Sequence, residues 1–254
     1  MSDAHGNPDA HDKATGAASQ DAAPAVCGPP QDETPLPPPA PAAERVFADR
    51  LPLAVRYAEL LADTGVSHGL IGPREVERLW ERHILNCAVV GDLVPEGAEV
   101  VDVGSGAGLP GLAIAIARPD VTMHLVEPMA RRTEWLEVAV SELGLTGVQI
   151  HRGRAEEVDV TGDVVTARAV SKLANLARWM APLAREGALM LALKGSSAPD
   201  EVDRDRRIAT RAGWTDLEVV TVGEGIVDPA TTVVRAIRAA ERRTTRRSTH
   251  SRRR

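Results

Sequence analysis

The chain predicts an α/β fold: a doubly wound, Rossmann-like sheet whose last strand is antiparallel, preceded by a helical N-terminal cap. Three observations carry this. Apolar, β-branched runs near 98–103, 121–126, 147–151, 163–168, 187–194, 216–222 and 231–238 alternate with helix-forming stretches from 109, 129, 172 and 198. That alternation builds a parallel sheet with helices on both faces. The run Val100–Val103 passes into a glycine-rich loop and then the apolar segment Leu109–Ala117, the strand–loop–helix order of a nucleotide-sized site. The last two runs follow each other with no helix between them, and such neighbours pair antiparallel.

Ahead of the sheet, Glu44–Asp63 places apolar residues at helical spacing, with Pro52 expected to kink or split the helix. Pro73, after Gly72, opens a second helix over Arg74–Val90 with Val76, Leu79, Trp80, His83 and Ile84 on one side. Residues 44–97 are thus the cap and 98–240 the sheet domain. Residues 1–43 hold nine of the eighteen prolines and six acids against one lysine, a composition that buries too little to offset its ordering entropy. They are expected to form a disordered extension. Residues 241–254 carry seven arginines and one acid, net +6, leaving −12 for the rest of a chain at −6. This tail also reads as disordered. It is either an electrostatic tether for RNA, weakening as salt rises, or a solvated end of no consequence.

Composition narrows the class. At 254 residues and 43% hydrophobic content the chain can bury a sizeable core. It has no long uncharged apolar run, and its start lacks the basic-then-apolar pattern of a secretory signal. A cytoplasmic location is expected. Cys27 and Cys87 have neither metal nor redox spacing. Aromatic residues are only 2%, which argues against the stacking platform of single-strand binders. RNA contact should come from a local basic patch at the mouth of the site. Trp80, Trp135, Trp179 and Trp214 are assigned to packing.

The segment Val100–Gly111 (VVDVGSGAGLPG) is the most informative. Gly104, Gly106 and Gly108 remove the Cβ atoms that would keep a ligand off the backbone, and Asp102 can hold the loop or a bound amino group. Two registers fit. Gly106 to Gly111 spells the dinucleotide fingerprint. Read from Asp102, the same residues spell Asp-x-Gly-x-Gly-x-Gly, the pattern of class I S-adenosylmethionine-dependent methyltransferases. A pyrophosphate needs free N–H donors at a helix N-terminus. An acid just before the glycines suits it poorly, and Pro110 removes a donor. The same acid suits ammonium and sulfonium charges. The second register is favoured, with an NAD site and a purely structural turn as alternatives.

Further acids and bases fall at strand ends. Glu127 closes the run Val121–Val126 some twenty residues past the glycines, where an acid can take both ribose hydroxyls. Its bland alternative is to cap the helix near Met129. Arg168 follows Val164-Val165 at a strand's C-terminal end, the edge where open α/β sheets bind ligands. A guanidinium there can grip guanine O6 and N7 or a phosphate; its alternative is a surface ion pair. Lys194, at the next strand end, reads as a phosphate contact or a similar pair. For His83 and Arg82 ordinary packing is the favoured reading.

In order along the chain come Arg82-His83-Ile84-Leu85, Asp102 to Gly111, Glu127 with Arg131 and Arg132, Arg154-Ala155-Glu156-Glu157, and Ala167-Arg168-Ala169 with Leu193-Lys194-Gly195. Together they resemble the RsmG (GidB) family, the 16S ribosomal RNA guanine-N7 methyltransferases, over about residues 50–238. The proline-rich head and arginine tail lie outside the resemblance. Where many members carry Asp after Arg-His-Ile-Leu, this chain has Asn86, so a role there rests on hydrogen bonding and not on charge. The resemblance implies methyl transfer from S-adenosylmethionine to N7 of a guanosine in 16S ribosomal RNA of the small subunit. It implies that Gly104, Gly106 and Leu109 line the cofactor, that Glu127 holds its ribose, that Ala155 and Glu156 flank its adenine, and that Arg168 borders cofactor and substrate.

Asp102 completes the expected cofactor set, and Arg168 and Lys194 are the expected catalytic pair. The expected partner is the small ribosomal subunit, met by a monomer with no metal and no membrane. Guanine N7 carries an available lone pair and loses no proton on methylation, so neither general base nor cysteine nucleophile is required. The lack of an Asp/Asn-Pro-Pro-aromatic motif argues against amino-group methylation. Other readings stay open. One is a noncatalytic RNA-binding or assembly factor on this fold, and another an NAD-dependent oxidoreductase. The third is a small-molecule methyltransferase, against which Arg131, Arg132, Arg168, Lys194 and the arginine tail argue mildly.

Overall fold

The chain's structure, a computed structural model, describes residues 35–168 and 171–240. The arginine tail, residues 1–34 of the extension and Ala169 of the strand-end motif lie outside the described residues.

Seven strands form one sheet: β1 Glu99–Val103, β2 Thr122–Glu127, β3 Val148–Arg152, β4 Gly162–Arg168, β5 Ala184–Lys194, β6 Trp214–Val222 and β7 Thr231–Arg238. Their order is β3-β2-β1-β4-β5-β7-β6. The first five are parallel, and β7 is antiparallel to both β5 and β6. The expected reversal of the last strand is therefore present, with β7 inserted between its neighbours. β5 starts earlier than its apolar run, and there Arg185 pairs with Asp163 on the adjacent β4 and with Glu99 on β1 beyond it.

Side chains alternate between faces along each strand, and the two faces are covered separately. Val100, Met123, Leu125, Val164, Leu191 and Val233 enter one core. Val101, Val126, Val165, Met190, Ala192 and Val234 enter the other. Burial on both faces explains why these strands read as nearly continuous apolar runs. The first core is covered by α4 Gly111–Ala117, α5 Ala130–Glu142 and the N-terminal cap. The second is covered by α6 Leu173–Met180 and α7 Ala198–Arg211.

The cap consists of α1 Pro41–Phe47, a 3-10 turn Ala48–Arg50 and α2 Leu51–Leu60, with Pro52 in the first turn of α2. The proline splits the segment, since a helix tolerates it only where N–H donors lack partners anyway. Arg74–Val90 is helical but not one α-helix. It runs as a 3-10 turn Pro73–Arg78, a π-helical turn Leu79–Leu85, the short α3 Asn86–Ala88, and a 3-10 turn Val89–Leu93. Val76, Leu79, Trp80, His83 and Ile84 are all buried, as the periodicity requires.

The extension is shorter than its composition suggests. Residues 35–43 belong to the folded body: Ala43 is fully buried, Leu36, Ala40 and Ala42 pack against the first core, and the Trp80 indole N–H donates to the Pro37 carbonyl at 3.1 Å. A few small apolar residues beside a buried tryptophan suffice to anchor a proline-rich stretch, whose backbone has little entropy to lose.

Candidate active site

The site lies along the C-terminal edge of β1, β2, β4 and β5, where crossovers reverse and leave a crevice. The glycine loop there folds back on the sheet. Gly104 N–H donates to the Val126 carbonyl, and Gly106 and Gly108 have φ of +56° and +83°, conformations that cost little only for glycine. Gly111 is needed for space: a Cβ there would lie 2.7 Å from Asp102 Oδ2.

Asp102 serves this packing. It is fully buried, lines none of the recesses, and accepts the Gly111 N–H at 3.0 Å, so it ties the loop to the start of α4. Of its two anticipated uses, holding the loop is the one seen in the fold. Burial raises its pKa to about 7, and its Oδ1 has no hydrogen-bond partner. From the cap, the Tyr57 hydroxyl reaches across and donates to the Ala107 carbonyl at 2.7 Å.

Glu127, 1% exposed at the end of β2, sits under the loop. Its Oε2 accepts Gly106 N–H and its Oε1 accepts Met129 N–H, both at 3.0 Å, with Arg132 at 3.6 Å. Met129 is the N-cap of α5, so the capping reading of Glu127 is correct. The same carboxylate also lines a recess, so capping does not displace the ribose reading.

Three recesses run in series. The first, about 300 Å³, is walled by Val103, Val126, Pro128, Ala155, Glu156 and Trp179. It shares Gly104 and Pro128 with the second, about 470 Å³, which also takes in Gly106, Leu109, Glu127, Arg132 and His83. The second shares Arg168 with the third, about 750 Å³, whose rim includes Arg78, Arg82, Asn86, Lys194 and Asp228. The expected residues Gly104, Gly106, Leu109, Glu127, Ala155, Glu156 and Arg168 therefore line three neighbouring recesses. Trp179, assigned to packing, is half-buried and forms a wall of the first recess. The other three tryptophans are buried.

Arg168 stands between the second and third recesses. Its Nη2 contacts His83 Nδ1 at 2.6 Å, and its Nη1 donates to Cys87 Sγ at 3.0 Å and to the His83 carbonyl at 3.4 Å. His83 Nε2 lies 2.8 Å from Glu75 Oε2. Burial and the nearby Arg168 charge hold the His83 pKa below its usual value, and burial pushes the Cys87 thiol up. A thiol in that state is a poor nucleophile, as the sequence reading expects. Lys194 faces the third recess, but its ammonium donates to Glu201 Oε2 at 2.9 Å and to the Ser171 carbonyl at 2.7 Å. With its charge already countered, it is a weaker phosphate contact than its position at the strand end suggests.

The family model described as GidB, rRNA small subunit methyltransferase G, matches residues 50–229. The chain belongs to the RsmG family. Relatives named ribosomal RNA small subunit methyltransferase G come from Thermobifida fusca, 55% identical over 78% of this chain and 84% of that one, and from Rhodococcus jostii, 55% identical over 80% and 91%. The solved structure of M. jannaschii TYW2 in complex with AdoMet superposes with a TM-score of 0.50 at 17% identity, covering 63% of this chain and 77% of that one. It shares the class I sheet with this RsmG chain. The RsmG match takes in the glycine loop, Glu127, the Arg154–Glu157 turn, Arg168 and Lys194.

Proposed function

We propose that the chain transfers a methyl group from S-adenosylmethionine to N7 of a guanosine in 16S ribosomal RNA of the small subunit. The observation that carries the reading is the row of neighbouring recesses: an apolar slot, a glycine-lined carboxylate pocket and a wide recess rimmed mostly by basic residues, with Gly104 lining the first two and Arg168 the last two. Membership in the RsmG family supplies the acceptor class, and the family resemblance supplies N7.

The residues fit the cofactor. The slot between Val103, Val126, Ala155 and Trp179 suits a flat, weakly polar adenine, and Glu156 on its rim can accept from the base edge. Glu127 offers carboxylate oxygens to ribose hydroxyls, as strand-end acids do in nucleotide-binding sheets. Gly106 and Leu109 border the pocket for the amino-acid end. When bound, S-adenosylmethionine supplies an electrophilic methyl on a positively charged sulfur.

The chain's own residues then need to orient and to exclude water. A guanidinium gripping both O6 and N7 would occupy the lone pair that reacts, so Arg168 is assigned to O6 or to a neighbouring phosphate. N7 surrenders no proton, so no residue need act as base, and no metal is required to generate a nucleophile. Alignment of this kind contributes up to roughly 7–11 kcal/mol in ideal cases. The reading places a single chain in the cytoplasm, where the subunits are. To test it, purified protein is incubated with labelled S-adenosylmethionine and small subunits lacking the modification, and the labelled base is mapped. Label at guanine N7 of 16S RNA is expected. Label elsewhere, or none, sinks the reading.

A further inference from the structure

We propose that His83 is a positioning residue for methyl transfer: its neutral ring, protonated on Nε2, aims the Arg168 guanidinium at the acceptor, and Glu75 fixes that tautomer. The proposal rests on the role given to Arg168 above. Arginine carries donors only, so the 2.6 Å contact from Nη2 requires a lone pair on His83 Nδ1. The ring proton then sits on Nε2, facing Glu75 Oε2 at 2.8 Å. Cys87, one helical turn beyond His83, takes an Nη1–H at 3.0 Å. The cap thus grips one end of the guanidinium. Its Nε–H and one Nη2–H have no partner among the described residues, and Arg168 lines the recess on the acceptor side.

A second proton on the ring would turn the acceptor at Nδ1 into a donor and set two cations against each other. Arg168 would then have to leave its position. The charged groups facing the ring are Glu75 from the 3-10 turn Pro73–Arg78, Arg82 from its own turn and Arg168 from β4. Burial and both arginines favour the neutral ring, and Glu75 opposes them. Turnover should therefore have an acid limb that belongs to His83, and removing the Glu75 charge should move that limb to lower pH.

The experiment is single-turnover methylation of unmodified small subunits at saturating S-adenosylmethionine across pH, with cofactor affinity followed by calorimetry. His83→Ala is expected to slow the step by about 10²-fold at saturating S-adenosylmethionine, the cost of misplacing a reacting group by roughly 1 Å, a loss that raising the cofactor concentration further does not restore. His83→Gln, which offers a non-titrating acceptor, should recover part of the rate and abolish the acid limb. Glu75→Gln should shift the limb downward. A wild-type rate in His83→Ala, or an unchanged limb in His83→Gln, overturns the proposal. Should His83→Ala fail to fold, the limb in His83→Gln decides. Arg168→Ala run in parallel separates the two readings. Loss there without loss in His83→Ala overturns the positioning role alone, and a wild-type rate there overturns both.

Discussion

Asp102→Asn tests whether a buried carboxyl beneath the glycine loop stores a pH-dependent destabilisation. Asp102 is fully buried, one oxygen bonded to Gly111 N–H and the other unpartnered, with a pKa raised from 3.8 to about 7. Burial is the main cause; the Glu127 charge adds to it, and the Gly111 hydrogen bond opposes it. The sign follows from linkage. Between pH 4 and 7 the folded chain keeps this proton while the unfolded chain has lost it, so stability falls as pH rises through that window. At about 1.4 kcal/mol per unit, the penalty is about 4 kcal/mol at pH 8 and about 2 kcal/mol at pH 5. Asparagine keeps an acceptor for Gly111 and removes the titration. In urea unfolding the variant, relative to wild type, should therefore be more stable at pH 8 than at pH 5 by about 2–3 kcal/mol. Comparing the two proteins cancels the other carboxylates. An identical pH response in both would refute the argument, because the cost of charging Asp102 would then be negligible.

Tyr57→Phe strands the Ala107 carbonyl and should cost about 1–3 kcal/mol, seen as a fall in Tm of roughly 2–4 °C per kcal/mol and a weaker calorimetric signal for S-adenosylmethionine. Trp179→Ala should raise the cofactor Kd by roughly 5- to 30-fold, the about 1–2 kcal/mol of a lost base–aromatic contact; an unchanged Kd removes the tryptophan from the slot. Gly111→Ala drives a methyl group into Asp102 and Leu125 and should destabilise by about 1–3 kcal/mol, read by thermal unfolding. Arg168→Ala should lose turnover while cofactor binding survives in part, checked by methylation and calorimetry on the same preparation.

Much of this was legible from local pattern. The central strands stand out because they are buried on both faces, the partly exposed edge strands β3 and β6 because of their β-branched runs, and the glycine loop because φ above zero at Gly106 and Gly108 leaves little choice of residue. Glu127 and Arg168 follow from position, each being a charged group at the end of an apolar strand. What the pattern could not show is set by partners distant in sequence. Asp102 looks like a ligand because it precedes the glycines, yet its carboxylate turns down onto Gly111. Trp179 looks like packing because it sits in an amphipathic helix, and only its neighbours Ala155 and Pro128, from other crossovers, make it a wall. Lys194 carries no sign that Glu201 will claim its charge. Residues 35–43 look unstructured by composition, and it is the Trp80 indole that holds them.

The reversal of β7 has a consequence for how such a molecule can diversify. Because β6 hands the chain back beside the end of β5, the turn 223–230 is delivered to the mouth of the acceptor recess, opposite a second wall drawn from the cap. Neither wall shares residues with the adenine slot. Substitutions in the turn 223–230, which borders none of the recesses given to the donor, can reshape what is offered for modification while the donor's berth is left alone. The architecture thereby uncouples choice of target from supply of the methyl group.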